Sequence, residues 1–233
     1  MPNFIEGEII LVDKPLTWTS FDVVNKIKYS LKRKLNLKKI KVGHAGTLDP
    51  LASGLLIVCT GKKTKAITEI QAQVKEYTGV ITLGATTPSF DLETEPENFK
   101  ATDKVDLSDI ISAAKKLTGK INQTPPIFSA KKIDGKRAYD LARKGKTPEM
   151  RIVEVEVYDF EITNLELPEV HFRVTCSKGT YIRTLANDLG ELLKTGAYLK
   201  ELRRTKIGEY AVSEAYTVEK IIEEIQNLPE ENY

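Results

Sequence analysis

Hydrophobic positions recur along this chain with two alternating periods, and the switches between them mark its elements. Ile9-Ile10-Leu11-Val12 is a short apolar run closed by Asp13-Lys14-Pro15, which reads as a strand. Thr19 and Asp22 stand at capping-box spacing, and Phe21, Val24, Ile27, Leu31 and Leu35 then recur at helical intervals. The spacing predicts a helix that turns this stripe inward and its lysines outward. A glycine-punctuated polar loop leads to a second apolar run, Leu55 to Val58. Ala66 to Gln73 predicts a short helix, and Lys75 to Leu83 a strand ending at Gly84. Ala85 to Val105, rich in Thr, Pro, Glu and Asp, reads as a surface loop. Asp106 to Leu117 predicts a helix with Ile110, Ile111, Ala114 and Leu117 on one face and Gly119 at its C-terminal end. Val153, Val155 and Val157 alternate within Ile152 to Ile162, and Val170, Phe172, Val174 and Cys176 alternate again. The two runs predict an antiparallel pair with one buried face and His171 on the other. A helix follows with Ile182, Leu185, Leu189 and Leu192 along one side, and Thr217 opens a last one with Ile221, Ile222 and Ile225 inward.

Composition adds bounds. The 233 residues suffice for one large domain or two small ones, and 41% hydrophobic with 29% charged residues is ordinary for a soluble globular protein. No apolar run reaches membrane-spanning length, and the N-terminus has no signal-peptide pattern. Cys59 and Cys176 lie far apart in strand-like stretches, which suits buried free thiols in a reducing cytoplasm. Two histidines and no Cys-x-x-C pair suggest no metal site. Trp18, the single tryptophan, reads as core packing. Net charge is only +2, but its distribution is uneven. Between Val23 and Leu48 there is no acid, while Lys26, Lys28, Lys32, Arg33, Lys34, Lys38, Lys39 and Lys41 all occur. The last stretch gathers Glu219, Glu223, Glu224, Glu230 and Glu231. Such segregation makes a positive face on a nearly neutral chain and points to phosphate binding.

The candidate chemistry lies in Val42 to Thr60. Gly43, Gly46 and Gly54 permit backbone conformations closed to other residues, and Pro50 holds Asp49 in the extended region. A carboxylate on a stiff loop that runs into a buried strand is well placed to react. The string Gly43-His44-Ala45-Gly46-Thr47-Leu48-Asp49-Pro50-Leu51-Ala52-Ser53-Gly54 resembles the active-site loop of the TruB family of bacterial tRNA pseudouridine synthases. Three further strings resemble the same family in the expected order. They are Leu11 to Ser20, Gln123 to Lys131 with its continuation to Gly145, and Cys176 to Arg183 leading on to Ala197 to Thr205.

The resemblance implies Asp49 as the catalytic aspartate, Tyr77 as the aromatic that stacks on the target base and a candidate base for the later proton removal, and Arg183 as the active-site arginine. It gives Tyr181 and Leu202 places in the uracil pocket. His44 is read as a neutral packing or hydrogen-bonding group near the displaced nucleotide, and Lys14, in the N-terminal signature, as a substrate-binding residue. The basic segment around 123–151, with Lys131, Lys132, Lys136, Arg137, Tyr139, Arg143, Lys144 and Lys146, resembles an RNA-gripping insertion whose cations would bind phosphates. Family members usually carry a further acid where this chain has Thr87-Pro88; Asp91 stands nearby with no role assigned.

The implied activity is isomerisation of uridine 55 in the T loop of tRNA to pseudouridine. That reaction breaks N1–C1′ and joins C5 to C1′ with no atom gained or lost, so it calls for a nucleophile and for no cofactor. The implied fold is α+β: one catalytic domain over 1–233 with a mixed, largely antiparallel sheet and flanking helices. The family's C-terminal PUA-type module is not expected. The expected partner is a tRNA T-stem-loop, bound by a cytoplasmic monomer with no membrane and no obligate protein partner. A guide-RNA-dependent synthase of the related archaeal and eukaryotic type, and a non-enzymatic RNA-binding protein, are the alternatives.

Overall fold

A computed structural model describes residues 3–129, 132–133, 136–138 and 150–229. In chain order the elements are β1 (Ile9–Lys14), α1 (Ser20–Lys34), β2 (Val42–His44), β3 (Ala52–Thr60), α2 (Ile67–Ala72), β4 (Lys75–Leu83), α3 (Leu107–Lys116) and β5 (Gly119–Gln123). Then come β6 (Lys132–Ile133), β7 (Lys136–Arg137), β8 (Val153–Glu166), β9 (Glu169–Cys176), α4 (Ile182–Leu192), β10 (Ala197–Ile207), β11 (Tyr210–Ala211), β12 (Tyr216–Thr217) and α5 (Val218–Gln226). The chain divides into two compact units, Met1–Tyr77 with Leu202–Tyr233, and Thr78–Glu201.

In the first unit β3 is central. It pairs antiparallel with β1 and β2, and parallel with the start of β10 within this unit, where Leu202 faces Ala52, Arg203 faces Ser53 and Arg204 faces Gly54. β1 also pairs parallel with β12. Leu56 and Val58 of β3 pack with Val12, Val23, Val24, Ile27, Leu31, Val218, Ile221 and Ile225, so α1 and α5 cover one face. Leu55, Ile57 and Cys59 point the other way, to Ala45, Ile70 and Ile207. Burial on both faces is why this strand reads as an unbroken apolar run. Each of those Leu, Ile and Val side chains contributes roughly 1.5–3 kcal/mol by leaving water, so the strand behind Asp49 is firmly anchored.

Helix α1 starts as expected: the side chain of Thr19 accepts from the Asp22 backbone, and that of Asp22 accepts from the Thr19 backbone. Its buried stripe differs by one position. Ser20, Val23, Val24, Ile27 and Leu31 face inward, whereas Phe21 is 67% exposed. At 100° per residue Phe21 lies about 100° from the centre of that stripe, whereas Val23 belongs to it. Trp18 packs against this core, as expected.

In the second unit β8 pairs antiparallel with β5 and β9, and β6 with β7. Val155, Val157, Val170, Phe172, Val174 and Cys176 are buried on one face, and a register shift between Val157 and Asp159 brings Phe160 onto it. Phe160 and Phe172 meet edge to face at 5.7 Å. Three expectations change here. Ile111 and Leu192 are exposed, because α3 buries Ile110, Ala113 and Ala114, and α4 buries nearly every residue from Ile182 to Gly190 instead of one side. The segment after β4 is more than a surface loop, since Ala85, Thr87, Ser89 and Asp91 are buried. Phe90 accepts from the Leu199 amide there, and Asp91 bridges to Leu199. The architecture is α+β, with mixed, largely antiparallel strands and flanking helices. No helix among the described residues is long and apolar enough to cross a membrane.

Candidate active site

Asp49 sits at the end of a loop fastened at both sides within the first unit. Before it, the buried Ser20 hydroxyl donates to the Leu48 carbonyl (3.1 Å) and accepts from the Leu48 amide (2.9 Å), tying the loop to the start of α1. After it, the Ala52 amide donates to the Asp49 carbonyl (3.1 Å) and the Thr17 amide to the Pro50 carbonyl (2.8 Å). The Ala45 amide reaches Ile57, so the loop's first residues also lie against β3. Gly46 and Gly54 adopt φ of 101° and 102°. At Gly54 a Cβ would lie 2.3 Å from the Arg204 carbonyl, so only glycine lets β10 approach β3 there. Asp49 itself is partly exposed.

Lys14 and Arg204 are among the buried cations of the same unit. Lys14, fully buried at the end of β1, donates from Nζ to the carbonyls of Pro15 (2.8 Å) and Trp18 (2.6 Å). Its burial lowers its pKa to about 8; the negative charge of Asp49 opposes that shift and the positive charge of Arg204 adds to it. Arg204 is 1% exposed and donates to three backbone carbonyls: Leu55 from Nε (2.8 Å), Thr47 from Nη1 (3.4 Å) and Gly46 from Nη2 (3.1 Å). Its neighbour Arg203, on the other side of the strand, makes a bidentate pair with Asp13 (3.0 and 2.7 Å). His44, at the end of β2, is half-buried with Nδ1 unpartnered among the described residues. Burial, then the charge of Arg204, lowers its pKa. Tyr77 is buried on β4, and Leu202 is half-buried beside Ala52.

Tyr181 and Arg183 belong to the second unit, at the start of α4. The buried Gln123 amide brackets the Tyr181 backbone, accepting from its N–H (3.0 Å) and donating to its carbonyl (3.2 Å). Arg183 is buried, 3.4 Å from the equally buried Asp91 carboxylate, and donates to the Ser89 carbonyl (3.4 Å). Asp91, left without a role from sequence, is thus an ion-pair partner of the expected active-site arginine. Of the expected site residues, Lys14, His44, Asp49, Tyr77 and Leu202 share the first unit and Tyr181 and Arg183 the second. Lys131 and Arg143, with Tyr139, Lys144 and Lys146, lie outside the described residues. No group of three His, Cys, Asp or Glu side chains able to hold a metal occurs among those described.

Arg204, Ser20 and Gln123 fall within the family strings, but the sequence assigns them no role of their own. A Ser at a helix start and a Gln at a strand end carry no chemical signal of their own. Arg204 left one trace: Arg203-Arg204 in a strand must put one guanidinium on each face, so one of them had to be buried or covered.

Residues 32–182 match the model of the TruB family pseudouridylate synthases (N-terminal domain), and residues 183–232 that of the tRNA pseudouridylate synthase B C-terminal domain. A tRNA pseudouridine synthase B of Phocaeicola vulgatus is 53% identical over 95% of this chain and 94% of its own. One of Chloroherpeton thalassium is 54% identical over 97% and 93%. Among solved structures, a Cbf5-Nop10-Gar1 complex contains a chain 32% identical, with a TM-score of 0.68 over 94% of this chain and 54% of that one. An H/ACA RNP bound to a substrate RNA containing 2′-deoxyuridine gives 28% and 0.69 over 97% and 57%. The chain therefore spans little more than half the length of those solved chains.

Proposed function

The chain belongs to the TruB family of pseudouridylate synthases, and from that premise we propose how it works: it isomerises uridine 55 in the T loop of tRNA to pseudouridine, with Asp49 as the nucleophile. It is an isomerase that makes pseudouridine. The observation that carries Asp49 is its loop. A partly exposed carboxylate stands on a backbone pinned by Ser20, Thr17 and Arg204, directly before a strand buried on both faces. A nucleophile that must hold one fragment of the nucleoside while the other turns over needs that fixed origin.

In the same proposal the uridine leaves its stack, which costs a few kcal/mol. Stacking of a base on an aromatic returns roughly 1–3 kcal/mol, and Tyr77 takes that part, with His44 as a neutral contact. Tyr181 and Leu202 bound the uracil. Arg183, held by Asp91 and Ser89, is the arginine that favours an ionised reacting acid. Lys14, fully buried with its ammonium on the carbonyls of Pro15 and Trp18, stiffens the entry to α1 in place of the substrate contact expected of it, and Lys131 and Arg143 bind phosphates. The substrate is a T-stem-loop, bound by a cytoplasmic monomer whose two units form one catalytic domain and which needs no protein partner.

The solved chains come from complexes with partner proteins, so dependence on partners is the competing reading. Incubating the purified chain alone with a T-stem-loop transcript and mapping pseudouridine chemically separates the two. Modification at uridine 55 of the T loop is expected. A bare transcript left unmodified by folded protein contradicts the proposal.

A further inference from the structure

We propose that Arg204 is a positioning residue for Asp49, acting through the loop backbone and touching neither base nor phosphate. This rests on Asp49 being the nucleophile. Arg204 is among the largest side chains fully withdrawn from water, and its three hydrogen bonds among the described residues all run to backbone carbonyls. A buried guanidinium is expensive unless its donors are met, and a carbonyl is a weaker partner than a carboxylate. The arrangement therefore needs a reason beyond packing, and the three acceptors supply one. Gly46 and Thr47 lie three and two residues before Asp49, and Leu55 lies six after it. One rigid, planar fork thus joins the segment entering the acid to the strand leaving it.

The rest of the local structure is arranged around that fork. Arg204 stands opposite Gly54 in the parallel register of β10 and β3, and Gly54 has no Cβ where one would strike the Arg204 carbonyl at 2.3 Å. Gly46 turns through φ 101°, which presents its carbonyl to Nη2. Leu48 is held by Ser20, so the backbone from Gly46 to Leu48 is gripped by two elements distant in sequence. A lysine at 204 would keep the charge but lacks the fork: its three donors radiate from a single nitrogen on a flexible stem and cannot span these acceptors.

The test compares Arg204→Lys with wild type and with Asp49→Asn on a T-stem-loop transcript, measuring kcat, KM, transcript affinity, thermal midpoint and amide exchange. For Arg204→Lys the expected result is a kcat lower by on the order of 10²-fold, the loss that follows a misplacement of about 1 Å. KM and affinity should stay near wild type, with faster exchange confined to the amides of Ala45, Leu48 and Ala52. A loss carried by KM or affinity would make Arg204 an RNA contact and overturn the proposal. So would a loss matched by a collapsed midpoint and faster exchange throughout the unit, which is the mark of a merely structural residue. Unchanged kcat would overturn it as well. Asp49→Asn keeps the two claims apart: turnover in that variant removes the nucleophile assignment, whereas faster loop exchange in Arg204→Lys still reports whether the fork fixes the loop.

Discussion

At the scale of single residues, burial and charge around Asp49 make a claim about pH. Lys14 has no exposure to water and its pKa falls from 10.5 to about 8, chiefly through burial. Between those values the unfolded chain keeps a proton that the folded chain has released, so folding stability gains as pH rises through the window. Each pH unit crossed is worth up to about 1.4 kcal/mol. Below pH 8 both states carry the charge and the contribution is flat. Denaturant unfolding of wild type and Lys14→Met from pH 7 to 10.5 checks this: wild type should gain on the variant above pH 8. A constant difference across the range would mean that Lys14 does not release its proton in the folded protein. The same residue shows what a sequence can convey. Asp13-Lys14-Pro15 ends a strand legibly, but nothing in it says that the lysine amine turns back onto the carbonyls of Pro15 and Trp18.

At the scale of elements, periodicity places the helices within a residue or two, but it falls short of the ends of β3 and β8, gives no sign of β2, β5 or β10, and assigns faces less well. Thr19 and Asp22 signalled the start of α1 because a capping box is local chemistry. Phe21 was misassigned because hydrophobicity outweighed angle: Val23, a quarter-turn or more away, is the residue that packs. The same cause accounts for Ile111 and Leu192, whose neighbours on α3 and α4 take the buried positions. Asp91 illustrates the opposite limit. Its ion pair with Arg183 joins residues far apart in the chain, and no local pattern announces it. The face of α1 is testable. Ile27→Ala removes a fully buried side chain and should cost about 2–5 kcal/mol, whereas Phe21→Ser should stay within about 0.5 kcal/mol of wild type. Equal losses in chemical denaturation would put Phe21 back in the core.

At the scale of the whole molecule, the family strings are legible because they are built of contiguous runs of residues. What they could not convey is the support behind Asp49, since Ser20 and Arg204 reach it from positions 29 residues before and 155 after. RNA affinity belongs to this scale too. Lys32, Arg33 and Lys34 lie in the last turn of α1, with Arg33 exposed, and phosphate contacts release counterions as they form. Replacing all three by Gln should weaken T-stem-loop binding and flatten its dependence on salt; an unchanged slope would leave that helix out of the interface. The most direct test of the account is a single-turnover assay of Asp49→Asn on the same transcript, with binding followed in parallel. The account predicts near wild-type affinity and folding with no pseudouridine formed. Pseudouridine appearing at the wild-type rate would contradict it.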